Sequence, residues 1–261
     1  MIAGVIVLLA LFLACAVLAL GWAGVRTIST VVLSGLLIAW LIPAAALRGV
    51  PVLWLALPSA VVIAAGGILL IGGWNRKSFA AALGAALSLL LAAALPLALA
   101  GSLHLTGLDV HVGPQPHPGT RLWLDPEFGR VDLADVLLAA VVLASLGAVM
   151  DVSMVIASSV EQLPAAGWRL ANAFRSGARV GARVLGPMLA TMALALFGAD
   201  LAFNVVRATG PWCPRGSLEL LNYECFAAQA LQLLAAGLGL LCCIPLTALF
   251  AAALRRRNEP R

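Results

Sequence analysis

The chain has 261 residues, of which 63% are hydrophobic and 10% charged, with a formal net charge of +5. A soluble domain carries about 25% charged residues, so this chain has too little polar surface to face water. Its apolar runs exceed about 18 residues and do not alternate with polar positions, which identifies membrane helices and excludes a membrane barrel. The basic residues are scattered between apolar segments, so nucleic-acid binding is excluded as well.

Seven transmembrane helices are predicted, over about 3–22, 29–47, 51–73, 79–103, 135–159, 184–206 and 225–251. The fold class is therefore an all-α polytopic membrane protein. The opening "MIAGVIVLLALFLACAVLALGW" lacks a basic start and is too long for a signal-peptide core, so it reads as an uncleaved first helix. Trp22, Trp54, Trp74, Trp123, Trp168 and Trp212 fall at or just outside segment ends, where interfacial aromatics belong.

Lys and Arg divide eleven to five between alternate connections. The positive-inside rule places the richer set, with Arg175, Arg179, Arg183 and the C-terminal "RRRNEPR", in the cytoplasm. The N-terminus is then expected outside and the C-terminus inside, in the bacterial inner membrane. No Asp or Glu occurs before Asp109. The chain thus reads as a single membrane domain over 1–261. It comprises an apolar four-helix half (1–104), an outer loop (105–134) and a more polar three-helix half (135–261). The polar half includes an amphipathic cytoplasmic segment at about 166–182.

Asp151 stands in the middle of "LGAVMDVSMVIASSVEQ", with Asp135 the nearest preceding charge and Glu161 the next. Helical periodicity puts Ala144, Gly147, Ala148, Asp151, Val155, Ser158 and Gln162 on one small, polar face. Such a face packs against another helix or lines a cavity. Asp151 lies roughly 10–12 Å from the cytoplasmic end of its span at about 1.5 Å per residue. It is expected to be protonated, hydrated or paired there. Two readings stay open: a proton or cation site, and a buried structural hydrogen bond or ion pair.

The partner expected for such a pair is Arg183. Arg175, Arg179 and Arg183 share a helix face, and Gly177 and Gly181 form a G-x-x-x-G pair that permits close helix approach. The stripe reads either as a headgroup-binding face of an interfacial helix that turns into the membrane near Arg183, or as the source of an Asp151–Arg183 contact.

Asp200 and Asn204, one turn apart, form an outer polar cluster with Arg207. Glu224, with Gln229 and Gln232, opens the last segment and faces a possible outer vestibule. His104, His111 and His117 cluster around Asp109, but without metal-ligand spacing, so no metal or other cofactor is expected. Cys213 and Cys225 bracket the last outer connection and would close it as a disulfide in an oxidising compartment. Cys15, Cys242 and Cys243 read as small apolar residues. The chain carries no H-E-x-x-H, G-x-S-x-G or P-loop pattern, so it is not expected to be an enzyme.

"LGAVMDVSMVIASSVEQL" resembles the signature of the YibE/F family of bacterial multi-pass membrane proteins. "GGWNRKSFAAALG" (72–84), "LHLTGLD" (103–109), "FRSGARVGARVLGPM" (174–188) and "NYECFAAQALQLLAAGLGLLCCIPLTALFAAAL" (222–254) follow in the family's order. The resemblance implies the shorter, YibF-like form, without the extra helix and extracytoplasmic domain of longer members. It also implies a transport role, as a permease or permease subunit, or else a scaffold or regulator beside a longer YibE-like partner or in a homo-oligomer. Family members commonly carry Asp at the position of Arg183 and Asn at that of Ala190. Arg183 here replaces a pair of acids by an acid and a base, which weakens an ion-coupled reading.

Overall fold

The computed structural model describes residues 21–47, 52–103, 133–163, 169–199 and 224–256, with isolated positions at 11–19, 50, 201 and 205. They form six long helices: α1 (Trp22–Leu47), α2 (Val52–Gly72), α3 (Arg76–Leu103), α4 (Leu133–Glu161), α5 (Leu170–Ala199) and α6 (Glu224–Arg256). All six are long and apolar enough to cross a membrane, and no strand occurs among the described residues. They correspond to the second to seventh predicted segments. The first segment lies largely outside the described residues.

Two glycines set the tight connections. Gly21 has φ +58° and donates its amide to the Val17 carbonyl at 2.8 Å, ending the preceding helical turn just before α1. Gly73, with φ +77°, follows α2. The Asn75 amide donates to the Gly73 carbonyl at 2.8 Å, and the Asn75 carbonyl accepts from Phe79 at 3.0 Å, so Asn75 starts α3. This short connection makes α2 and α3 antiparallel neighbours. Trp74 stacks edge-on against Phe79, 5.8 Å between ring centroids, at the same end.

Helix α6 is the axis of the bundle and packs against α3, α4 and α5, while α1 attaches through α2. Small residues permit this. A Cβ on Gly84 of α3 would sit 2.8 Å from the Thr247 backbone Cα on α6. A Cβ on Gly239 of α6 would sit 3.0 Å from the Ala92 side chain and 3.3 Å from Val149. Ala80, Ala81, Ala85, Val149, Val152 and Leu240 fill the layer between, all buried. With no water-driven force between helices in lipid, this close backbone approach supplies the dispersion contacts that hold the bundle. Ser88, Ser145 and Ser153 are buried in the same layer and donate to their own helix carbonyls, those of Ala85, Val142 and Met150, at 2.7–2.9 Å.

The amphipathic expectation is corrected by α5. No separate interfacial helix turns into the membrane near Arg183. Residues 170–199 form one continuous helix. Its first half leans directly on the bundle, because Gly177 and Gly181 offer no side chains to hold it away. A Cβ on Gly177 would lie 2.8 Å from Val160 on α4 and 3.1 Å from Ala248 on α6. One on Gly181 would lie 2.8 Å from Ile156 and 2.9 Å from Ile244. The second half of α5, from Ala190, is largely exposed.

Candidate functional site

Asp151 sits near the middle of α4, and the rotation of that helix decides what it meets. Val149, Val152, Ile156 and Val160 are buried toward α5 and α6. Met150 reaches Gly67 on α2, and Met154 lies 2.9 Å from the position of a Cβ on Gly72. The remaining face carries Gly147, Asp151 and Val155, all exposed, with Ala144, Ala148 and Ser158 half-buried at its edges. Nothing lies within 4 Å of the space above Gly147. The small polar stripe predicted from the sequence is therefore a continuous strip, but it faces out of the bundle. The expectation of a buried Asp151 at the α4–α5 contact is corrected: the residues that meet α5 are Ile156 and Val160.

Arg183 is exposed too. Among the described residues no ion pair joins it to Asp151. The reason lies in the register of α5. Gly177 and Gly181 face the bundle, so Arg175, Arg179 and Arg183 occupy the opposite, exposed side.

The charges that do meet lie at the Arg-rich end of the bundle. Lys77, in the first turn of α3, places its Nζ 2.9 Å from Oε2 of Glu161 at the end of α4. Arg255, in the last turn of α6, donates to the carbonyls of Val160, Glu161 (2.9 Å) and Leu163. The first two are terminal carbonyls of α4, which its own helix leaves without amide partners, and Leu163 follows two residues beyond its end. A cation there also complements the negative end of the helix dipole. The beginning of α3 and the ends of α4 and α6 are thus tied into one polar latch. The sequence placed these residues at the same membrane side. It carried no signal that Arg255 would cap α4, because the two are 94 positions apart.

A second unpredicted feature is the polar contact at the α3–α6 crossing. Cys243 lies 3.4 Å from the Thr247 hydroxyl and 3.7 Å from the Val149 carbonyl, all buried. Cys242, beside it, is half-exposed. An apolar groove of about 540 Å³ lies between the outer half of α5 and α6, with Leu95, Leu189, Leu234 and Gly237 among its walls. It has no charged or hydrogen-bonding side chain and suits lipid chains. Among the described residues no group of His, Cys, Asp and Glu is arranged to hold a metal.

Several predicted site residues fall outside this description. Asp200, Asn204, Arg207, Cys213 and the three histidines with Asp109 lie outside the described residues, as do the side chains of Glu224 and Cys225. The outer polar cluster and the Cys213–Cys225 disulfide lie there with them.

The family model described as YibE/F-like protein matches residues 8–257. The chain belongs to the YibE/F family. Neither a curated protein nor a solved structure matches it. The match runs through every described helix, and the Asp151 strip on α4 lies inside it.

Proposed function

We propose that the protein is a subunit of a permease for a small solute or ion in the bacterial inner membrane, working through the outward strip of α4. The observation that supports this reading is an exposed Asp151 within a membrane span, with no ion-pair partner among the described residues. An ionised carboxylate at that depth costs about 2.5–3.5 kcal/mol on insertion scales. Intramembrane acids persist where a hydrated path or a second chain offsets that cost. Gly147, with open space above it, leaves room beside the carboxylate for either.

A second reading is a non-transporting scaffold or regulatory partner of a longer sister subunit. The observation that favours it is the tight centre of the bundle, where α3 and α6 approach to backbone contact at Gly84 and Thr247. Both readings place the working surface on the outside of α4 and not in the bundle axis.

Proteoliposomes separate the two. Imposed gradients of H⁺, Na⁺, K⁺ and Mg²⁺ are followed with entrapped indicators in vesicles holding the wild-type protein, Asp151→Asn, or no protein. The permease reading expects one gradient to collapse faster with the wild-type protein and the gain to vanish with Asp151→Asn. Wild-type vesicles that match empty ones for all four ions would remove the ion-permease reading and leave the scaffold.

A further inference from the structure

We propose that the outward face of the α4–α5 pair is a two-fold interface with a second copy of this chain, in which Asp151 pairs with the partner subunit's Arg183 and Arg183 with the partner subunit's Asp151. The inference names the chain that completes the α4 strip. It rests on reading that strip as a surface between subunits, and not on anything crossing the membrane.

The argument starts from register. On α4, Ile156 faces α5, and Asp151 lies five residues away, rotated about 140° at 3.6 residues per turn. On α5, Gly177 and Gly181 face α4, and Arg183 lies six and two residues on, rotated about 120° and about 160° from them in the same sense, on the outer side of the helix. The other flank of α5 leads to α6, because Leu189 packs there beside Gly237. The two helices run antiparallel, so these equal-handed rotations bring both side chains to the same outer surface, on opposite sides of the α4–α5 seam. They diverge from one another, which is why they form no pair within the chain. Both are exposed.

Depth agrees as well. Ile156 touches both glycines of α5. From that level Asp151 is displaced about 7.5 Å along the helix and Arg183 about 3 Å beyond Gly181, in the same direction, at about 1.5 Å per residue. The two charges therefore sit within about 4–5 Å of one another in depth, which the length of an arginine side chain spans.

A second copy in the same membrane keeps the same orientation, so its two-fold axis runs along the membrane normal. That rotation preserves depth and exchanges the two sides of the seam. It carries the partner subunit's Arg183 over Asp151 and the partner subunit's Asp151 over Arg183. The surface is self-complementary, as an isologous interface requires. The small residues beside the charges, Gly147 and Ala148 on α4 and Gly186 on α5, let the helices of two copies approach closely; among the described residues nothing lies within 4 Å of the space above either glycine. An unpaired acid and an unpaired base at one depth are each costly in lipid, and this one operation relieves both.

Charge reversal across chains tests it. Copies carrying two different affinity tags are co-expressed and extracted in mild detergent, and the fraction that co-purifies is measured. The wild-type copies are expected to co-purify. Arg183→Asp paired with itself sets acid against acid, and Asp151→Arg paired with itself sets base against base, so each is expected to lose association at least ten-fold. Co-expressing Arg183→Asp in one copy with Asp151→Arg in the other restores both attractive pairs, and association should return. The double exchange within one chain should restore it too and shows that the reversed charges permit folding. If that double variant associates while the mixed single variants do not, the pair lies within one chain and the proposal fails. The proposal also fails if the wild-type protein in lipid nanodiscs has the mass of one copy, a result independent of any variant's folding. Loss of gradient collapse without loss of association would count against the permease reading alone.

Discussion

The contact between α3 and α6 makes a sharp prediction for Gly84→Ala. The added methyl carbon would lie 2.8 Å from the Thr247 backbone Cα and Cβ, whereas ordinary Cβ contacts begin near 3.4 Å. The obstacle is backbone, which no rotamer change can move. Helix α6 must therefore retreat by roughly 0.6 Å, the difference between those two distances. It would carry Thr247 with it, strain the Cys243–Thr247 contact, and loosen the layer at Gly239, Ala92 and Val149. Overpacking of this kind costs about 1–3 kcal/mol. Ala also favours a helix over Gly by about 1 kcal/mol, which would mask part of the loss. Gly66→Ala on α2 removes that ambiguity, because nothing lies within 4 Å of its new methyl. Both variants gain the same helix preference, so their difference isolates the overlap. In thermal unfolding of the detergent-solubilised protein, Gly84→Ala should melt below Gly66→Ala by about 2–12 °C, at about 2–4 °C per kcal/mol for a chain of this size. Equal midpoints would show that α3 and α6 do not approach as described, and with that the tight bundle centre would fall.

Further expectations follow from the polar latch and the buried thiol. Arg255→Ala should destabilise far more than Lys77→Ala. The first strips charge-assisted bonds from the last two carbonyls of α4 and from that of Leu163 just beyond it, at about 1.5–3 kcal/mol. The second breaks an ion pair whose side chains are 29% and 52% exposed, at under about 1 kcal/mol. Thermal midpoints of the two variants, with hydrogen exchange over 158–163, would show the ranking, and equal losses would deny Arg255 its capping role. Cys243, fully buried, should resist N-ethylmaleimide until the protein unfolds in denaturant. Peptide-level mass spectrometry reads the site, and early labelling of Cys243 would contradict the α6 packing.

Much of the candidate site was legible in the sequence, and its limits have a common cause. Asp151, Gly147 and Val155 do share a face, because the 3.6-residue period is a property of one helix. What that face meets was misjudged. The small-residue stripe looked like a packing surface, but α4 presents its branched residues, Val149, Val152, Ile156 and Val160, to the bundle and turns the small ones outward. The amphipathic character of 170–183 suggested a helix on the membrane surface. Gly177 and Gly181 instead seat it against Ile156 and Ile244, and that depends on partners distant in the chain. Arg255 over α4 and Thr247 against Gly84 are contacts between positions 94 and 163 residues apart, with no local pattern to announce them.

Read alone, the chain established the membrane class, the approximate positions of the described spans other than α5, and the resemblance to the YibE/F family. Hydrophobic run length and motif order are local quantities, readable without a neighbour. The tertiary structure alone decided how each helix is turned about its own axis. That rotation is set by where several helices find room for each other's side chains at once. It moved Asp151 from the expected buried pair to an open face, and left Arg183 exposed without joining the two.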